Sequence, residues 1–234
     1  MLYEEHAINS ARGFVRKYLP VLAPVVSIYE RLSGKTFPKL RPKKRWYEHP
    51  IYYLGNHLTF VTSGAEIKIP EYTDELDYEL ELGVILCRPL KNASPEEAMK
   101  AVGGFVVLND FSARDVQISE IQAGFGPMKS KNFANAVSNV VVSADEIWPV
   151  INELKVRVTI NGRPVVENTT NGMYYTIAEA IAYASWEEQL HPGEFFGSGT
   201  IPTCCGIENG CFLNSGDVIE LYIENIGSLT NSIK

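Results

Sequence analysis

The sequence predicts a β-rich α+β domain with a few peripheral helices. Three observations carry this expectation. From about residue 50 onward, short runs of alternating or apolar-rich residues recur with turn residues between them. In the same region only two segments join helical spacing to a helix-start signal. Strands and helices also lack the βαβ rhythm of a doubly wound sheet. The 234 residues are 45% hydrophobic and 21% charged, enough to bury a core without disulfide or metal staples.

Taken in order, residues 1–48 read as an N-terminal arm and residues 49–234 as the main domain. The arm holds a helix-like start from Leu2 to Tyr18, a proline-punctuated stretch, and a basic run from Lys39 to Arg45. Five cations within seven residues read as a solvated loop. Beyond the arm, Glu66–Ile69 alternates until Pro70 stops it. Asp77–Cys87 reads as a long apolar-rich strand, followed by strands at Gly104–Asn109, Asn139–Ser143 and Leu154–Ile160. Val218–Glu224 alternates cleanly after a Gly216-Asp217 turn. Ser94, Pro95 and Glu97 supply the cap, first-turn and capping-box residues of one helix. Thr176 caps another that runs toward Trp186.

The formal charge of −7 and a pI near 5.2 argue against nucleic acid or an anionic membrane as partner. The N-terminus lacks a basic signal region and no run of about 18 apolar residues occurs, so a cytoplasmic protein without a membrane span is expected. The four cysteines, Cys87, Cys204, Cys205 and Cys211, form no C-x-x-C pair. They are expected to be reduced, without zinc.

Chemistry concentrates in three places. Glu79 and Glu81 alternate onto one face of an apolar strand, with Asp77 ahead of them. That pattern fits either a half-exposed polar face or a pair of hard oxygen ligands for a divalent cation. Asp110 ends a second apolar run, where it serves as a helix cap or faces a cleft. Lys131 follows the turn Gly124–Pro127, as a surface lysine or as a positive charge beside a metal site.

Together these segments resemble the fumarylacetoacetate hydrolase family. The resemblance rests on Asp77–Gly83, on Gly104–Gln117 with its string Asn109-Asp110-Phe111-Ser112-Ala113-Arg114-Asp115-Val116-Gln117, and on Lys129–Phe133. It extends to Pro50–Tyr53, Ser63–Pro70, Gly197–Thr200, Gly216–Glu220 and Ile226–Asn231, covering the chain from about residue 46 to the end. It implies a mixed β-roll or sandwich with Mg2+ (or Mn2+ or Ca2+) held by Glu79, Glu81 and Asp110. It implies Lys131 as a catalytic cation, and Tyr53, Arg114, Gln117, Thr200 and Glu208 as substrate contacts. It also implies a small 2-oxo or 1,3-dicarbonyl acid as substrate, a homodimer, and the arm as a lid. Hydrolysis of a C–C bond is the leading expectation; decarboxylation, isomerisation or tautomerisation, or ligand binding without turnover, are the alternatives. Hydrolytic members carry a histidine on the N-terminal lid. Here Tyr29 and Glu30 resemble parts of that segment, no histidine follows, and Ser27 stands where some members have an aspartate. Glu30 or His49 is therefore the expected general base. His57 is given a structural role, His6 could fold back over a cleft, and none of the four histidines, His191 included, falls at the family's histidine position.

Overall fold

The computed structural model describes residues 1–234. Helices α1 (Glu4–Tyr18), α2 (Ala23–Ser33) and α3 (Lys44–Glu48) come first. Strands β1 (Phe60–Thr62), β2 (Glu66–Ile67) and β3 (Leu76–Asp77) lead to the long pair β4 (Leu80–Leu86) and β5 (Val102–Asn109), connected through α4 (Pro95–Ala101). The short β6 (Ser112–Ala113) and helix α5 (Arg114–Ala123) follow, then β7 (Asn135–Val137), β8 (Val142–Ser143) and the turn α6 (Ala144–Ile147). A hairpin of β9 (Lys155–Ile160) and β10 (Arg163–Thr169) precedes α7 (Ile177–Ala184), β11 (Phe195–Gly197) and α8 (Gly206–Asn209). The last hairpin joins β12 (Val218–Ile223) to β13 (Gly227–Ile233).

One sheet runs β1-β7-β5-β4-β11, with β8 also pairing β5; a second runs β10-β9-β12-β13-β2; β3 and β6 form a two-stranded piece. The main core lies between the two larger sheets. Leu80, Leu82, Val84, Phe105 and Val107 from the first meet Val156, Val158, Leu221, Ile223 and Leu229 from the second. Helix α7 closes one side with Ile177 and Ile181. It and α4 both carry a complete capping box, predicted from the sequence at Ser94 and as a Thr176 cap alone for α7. This is the α+β architecture expected. The five cations between Lys39 and Arg45 are all exposed. No helix is long and apolar enough to cross a membrane.

Three local features differ from the expectation. The Asp77–Cys87 strand is broken after Asp77, because the Tyr78 N–H bonds the Asp77 carboxylate and the Glu79 N–H bonds the Asn109 side chain. These side chains replace ladder partners and leave β4 to start at Leu80. The strand expected at Asn139–Ser143 shortens to Val142–Ser143, since the Ser138 hydroxyl takes the Val107 N–H and the chain leaves the ladder. In the arm, Pro24 occupies the first turn of α2, where its missing N–H costs nothing. The punctuating proline therefore starts a helix.

The first residues of the arm are sewn into the domain. Leu2 and Tyr3 belong to the core cluster, the Leu2 N–H donates to the Ser198 carbonyl at 2.9 Å, and the Tyr3 hydroxyl donates to the Thr170 carbonyl at 3.0 Å. Burying two such side chains contributes roughly 3–6 kcal/mol before the entropy of ordering the arm.

Candidate active site

Strand register assembles the carboxylates. In the antiparallel β4–β5 pair, Leu80 faces Asn109 and Glu81 faces Leu108. One step further out, the Asp110 N–H donates to the Glu79 carbonyl at 3.1 Å, so the two acids meet across the end of the ladder. Their carboxylate oxygens and one from Glu81 lie within 4.8 Å of one another. All three residues are at most 5% exposed, which rejects the half-exposed polar face as a reading of this strand.

Burial sets the electrostatics. It pushes Glu81 up to about 8, reinforced by Asp110 and Glu79. Asp110 is also raised by burial, against the pull of Lys131. Glu79 is pushed up by burial too, but Lys131, Arg114 and His6 overcome this and hold it well below the carboxylate range. Lys131 Nζ lies 2.7 Å from Glu79 and 2.8 Å from Asp110, and at 2% exposure it is no surface lysine. Its turn is fixed by Glu120, whose carboxylate accepts the N–H groups of Met128, Lys129 and Ser130 and the Ser130 hydroxyl.

The cluster fits a hard divalent cation. Four buried carboxylates, Asp77, Glu79, Glu81 and Asp110, face two buried side-chain cations, Arg114 and Lys131, with the Met1 amino group also acting on Glu81, Glu79 and Asp110. In the metal-free protein the raised Glu81 carboxyl therefore keeps a proton near neutral pH, which an entering cation would displace. Asp110 Oδ1 is buried and has no hydrogen-bond partner. The donors are oxygens throughout, which is the set for Mg2+, Mn2+ or Ca2+. Gly197 keeps the space open, because a Cβ there would lie 2.3 Å from Glu81 Oε2. The Gly199 N–H orients that same oxygen at 3.0 Å.

A second group stands beside the carboxylates. His6 Nδ1 on α1 lies 2.5 Å from Glu208 Oε1 on α8. Both side chains are buried, and the Thr203 N–H holds the other Glu208 oxygen at 2.9 Å. The proximity of α1 to α8 depends on Gly13, where a Cβ would fall 2.0 Å from the Ile207 carbonyl oxygen. Arg16 adds a bond to the Glu208 carbonyl at 2.8 Å. The two groups share a scaffold. Asp77 accepts the N–H groups of Gly206 and Ile207 at the start of α8, and Arg114 spans from Asp77 to Glu79 at 2.6 Å on each side.

The remaining expected residues divide. The Tyr53 hydroxyl donates to Asp110 while its ring stays exposed; burial of that hydroxyl and Asp110 raise it well above the usual tyrosine value. Thr200 Oγ1 is buried without a partner and is free to meet a ligand. Arg114 and Gln117 bond each other at 2.7 Å, and the other donors of Arg114 go to Asp77 and Glu79, so both are turned into the scaffold. Glu30 and His49 are not brought to the carboxylates. Glu30 is held by Arg12 at 3.0 and 3.2 Å and by the Phe37 N–H, and His49 stacks on Tyr183 with centroids 4.9 Å apart. An ion pair within the arm claims one, and an aromatic face on α7 claims the other. Sequence reading missed the pairing of His6. The available signal was His6, Ser10 and Gly13 at i, i+4 and i+7, the buried stripe of α1.

Residues 31–234 match the family described as fumarylacetoacetate (FAA) hydrolase C-terminal. The fumarylacetoacetate hydrolase domain-containing protein 2 homolog of Dictyostelium discoideum is 35% identical over 175 residues, covering 70% of this chain and 57% of that protein. The oxaloacetate tautomerase fahd2, mitochondrial, of Xenopus laevis is 31% identical over 188 residues, 80% of this chain and 58% of that one. The oxaloacetate tautomerase YisK of Bacillus subtilis is 32% identical over 191 residues, 80% and 62% respectively. The chain thus spans less than two thirds of the length of these curated relatives. Among solved structures, 2-hydroxyhepta-2,4-diene-1,7-dioate isomerase from Mycobacterium marinum aligns with a TM-score of 0.68 at 26% identity, over 79% of this chain and 68% of that one. The strand-borne acids and the matching relatives agree, and the chain belongs to the fumarylacetoacetate hydrolase family of enzymes.

Proposed function

We propose that this protein is a divalent-metal-dependent tautomerase or isomerase of small 2-oxo acids. The observation that carries proton transfer is the buried His6–Glu208 pair standing beside the carboxylate cluster, where the Glu79 backbone pairs with that of Cys205 and Glu79 feels the charge of His6. Keto–enol exchange needs one proton taken from the carbon next to a carbonyl and one delivered to the carbonyl oxygen, with no net consumption of water. Glu79, Glu81 and Asp110 would hold Mg2+ or a similar ion, which when bound polarises the substrate carbonyl as a Lewis acid. His6 takes and returns the carbon proton, and Glu208 orients the imidazole and stabilises its charged form. Lys131 holds Glu79 and Asp110 in register and places positive charge where negative charge develops on the substrate oxygen. Thr200 offers a hydroxyl to the same ligand. The names of the Xenopus and Bacillus relatives support tautomerisation over the expected hydrolysis.

Hydrolysis is the second reading, because the same His6–Glu208 pair can activate water. Products separate the two. Magnesium-loaded protein is expected to speed conversion of enol to keto oxaloacetate and to leave an acylpyruvate uncleaved. Cleavage of the acylpyruvate to pyruvate and an acid, without oxaloacetate tautomerisation, makes hydrolysis the function. The homodimer implied by the family stands as a proposal tested by mass in solution.

A further inference from the structure

The cluster beneath α1 carries a different donor set from the carboxylates. His6 Nδ1, Cys205 Sγ and a Glu208 oxygen lie within 4.8 Å of one another. Glu208 Oε1 is their meeting point, 2.5 Å from the imidazole nitrogen and 3.2 Å from the thiol sulfur. We propose that His6, Cys205 and Glu208 form a second, inhibitory metal site for a borderline-soft divalent ion of the zinc type.

Donor chemistry separates it from its neighbour. Three carboxylates suit a hard ion, whereas an imidazole, a thiolate and one carboxylate suit zinc, with bonds of about 2.0–2.1 Å to nitrogen and about 2.3 Å to sulfur. Two ligands come from one rigid turn, since Cys205 is the N-cap of α8 and Glu208 sits three residues on. The third comes from α1, packed over that turn. All three are buried, at 3%, 0% and 8% exposure. The Thr203 N–H at 2.9 Å fixes Glu208 from behind, as outer contacts commonly orient metal ligands. Burial, Glu208 and Asp77 keep the Cys205 thiol protonated in the metal-free protein. An entering dication reverses that balance: the thiol proton leaves to solvent, the Nδ1 proton that His6 donates to Glu208 is lost and the neutral ring keeps its proton on Nε2, so that sulfur and the freed Nδ1 lone pair bind the ion as the His6–Glu208 hydrogen bond breaks. Spacing along the chain hides this set, because His6 and Cys205 are brought together only when α1 folds onto α8.

The inhibitory part rests on His6–Glu208 as the proton-transfer pair; the metal site itself does not. The test uses the full magnesium-loaded chain, with Co2+ as a spectroscopic probe and Zn2+ as inhibitor, after long preincubation because the ligands are buried. The expected result is a thiolate-to-cobalt charge-transfer band in the wild type and inhibition by zinc at saturating magnesium. Cys205→Ser is expected to keep basal activity, because its hydroxyl can still donate to Glu208. It should lose the band and weaken zinc inhibition by at least about tenfold. No thiolate band in the wild type, or the same band in Cys205→Ser, overturns the site. Equal zinc inhibition of both proteins places the inhibiting ion on the carboxylates and overturns the inhibitory role, while the thiolate band alone decides the site. A band that disappears with Cys205 while His6→Ala retains full activity leaves the metal site standing and removes the proton-transfer reading.

Discussion

Glu81 is the residue on which metal affinity should turn if the carboxylates hold the proposed ion. Its neighbours are two other acids, and its raised value means that the empty cluster resists a third charge. Glu81→Gln is therefore expected to weaken magnesium binding by at least about tenfold in calorimetric titration; unchanged affinity would remove Glu81 from the ligand set. A carboxyl raised in the folded state stabilises the fold below its unfolded value and loses that contribution as pH rises through the folded one. Between about 4.5 and about 8, the metal-free protein should thus lose thermal stability, and Glu81→Gln should flatten that loss. Magnesium should oppose it, and its affinity should climb over the same interval because the ion competes with a proton. Gly197 acts on the same oxygen. Gly197→Ala should lower magnesium affinity while leaving His6 and Glu208 in place.

At the scale of elements, two packing devices hold the halves of the site. Helix α1 reaches α8 only because Gly13 has no side chain to meet the Ile207 carbonyl. Gly13→Ala is expected to lift the helix and displace His6, lowering kcat by about a hundredfold, the scale of a 1 Å misplacement. Magnesium affinity should stay at the wild-type value, and a parallel loss of it would show that α1 supports the whole cluster. The Lys131 turn depends on Glu120 at the end of α5. Burial alone would raise Glu120, but the Ser130 hydroxyl and the amides of Lys129, Met128 and Ser130 hold it below the usual carboxylate value. A lowered acid contributes stability above its unfolded value and loses it as pH falls through the folded one. Glu120→Gln should therefore cost about 1–2 kcal/mol in urea unfolding at neutral pH and much less in acid.

At the scale of the whole molecule, what a sequence reveals depends on how far apart in the chain the cooperating residues lie. Glu79, Glu81 and Asp110 were legible because two adjacent strands carry them, and strand alternation with one register fixes their meeting. Lys131 was legible as part of a motif, although its burial was not, since that comes from the Glu120-bound turn. His6 and Glu208 are separated by 202 positions and meet through a helix–helix contact, which no local pattern encodes. The same long range explains why Glu30 and His49 were natural candidates for the base: each is a reasonable residue in a reasonable segment, and only packing shows that Arg12 and Tyr183 hold them. Arg114 appeared as a pocket residue and is instead the strut between Asp77 and Glu79. The fold class was readable because short alternating strands and two capped helices announce themselves locally. The break at Tyr78 was not, because it depends on an asparagine across the sheet.

We propose that proton transfer by His6 beside the carboxylate cluster, with a divalent ion held there, drives tautomerisation of a 2-oxo acid. The most direct test follows the decay of enol oxaloacetate with wild-type protein and with His6→Ala, each with and without magnesium. The expected result is a magnesium-dependent acceleration that falls by about 10²–10⁴ in His6→Ala while magnesium affinity is retained. An acceleration independent of magnesium, or one that survives the loss of His6, would contradict it.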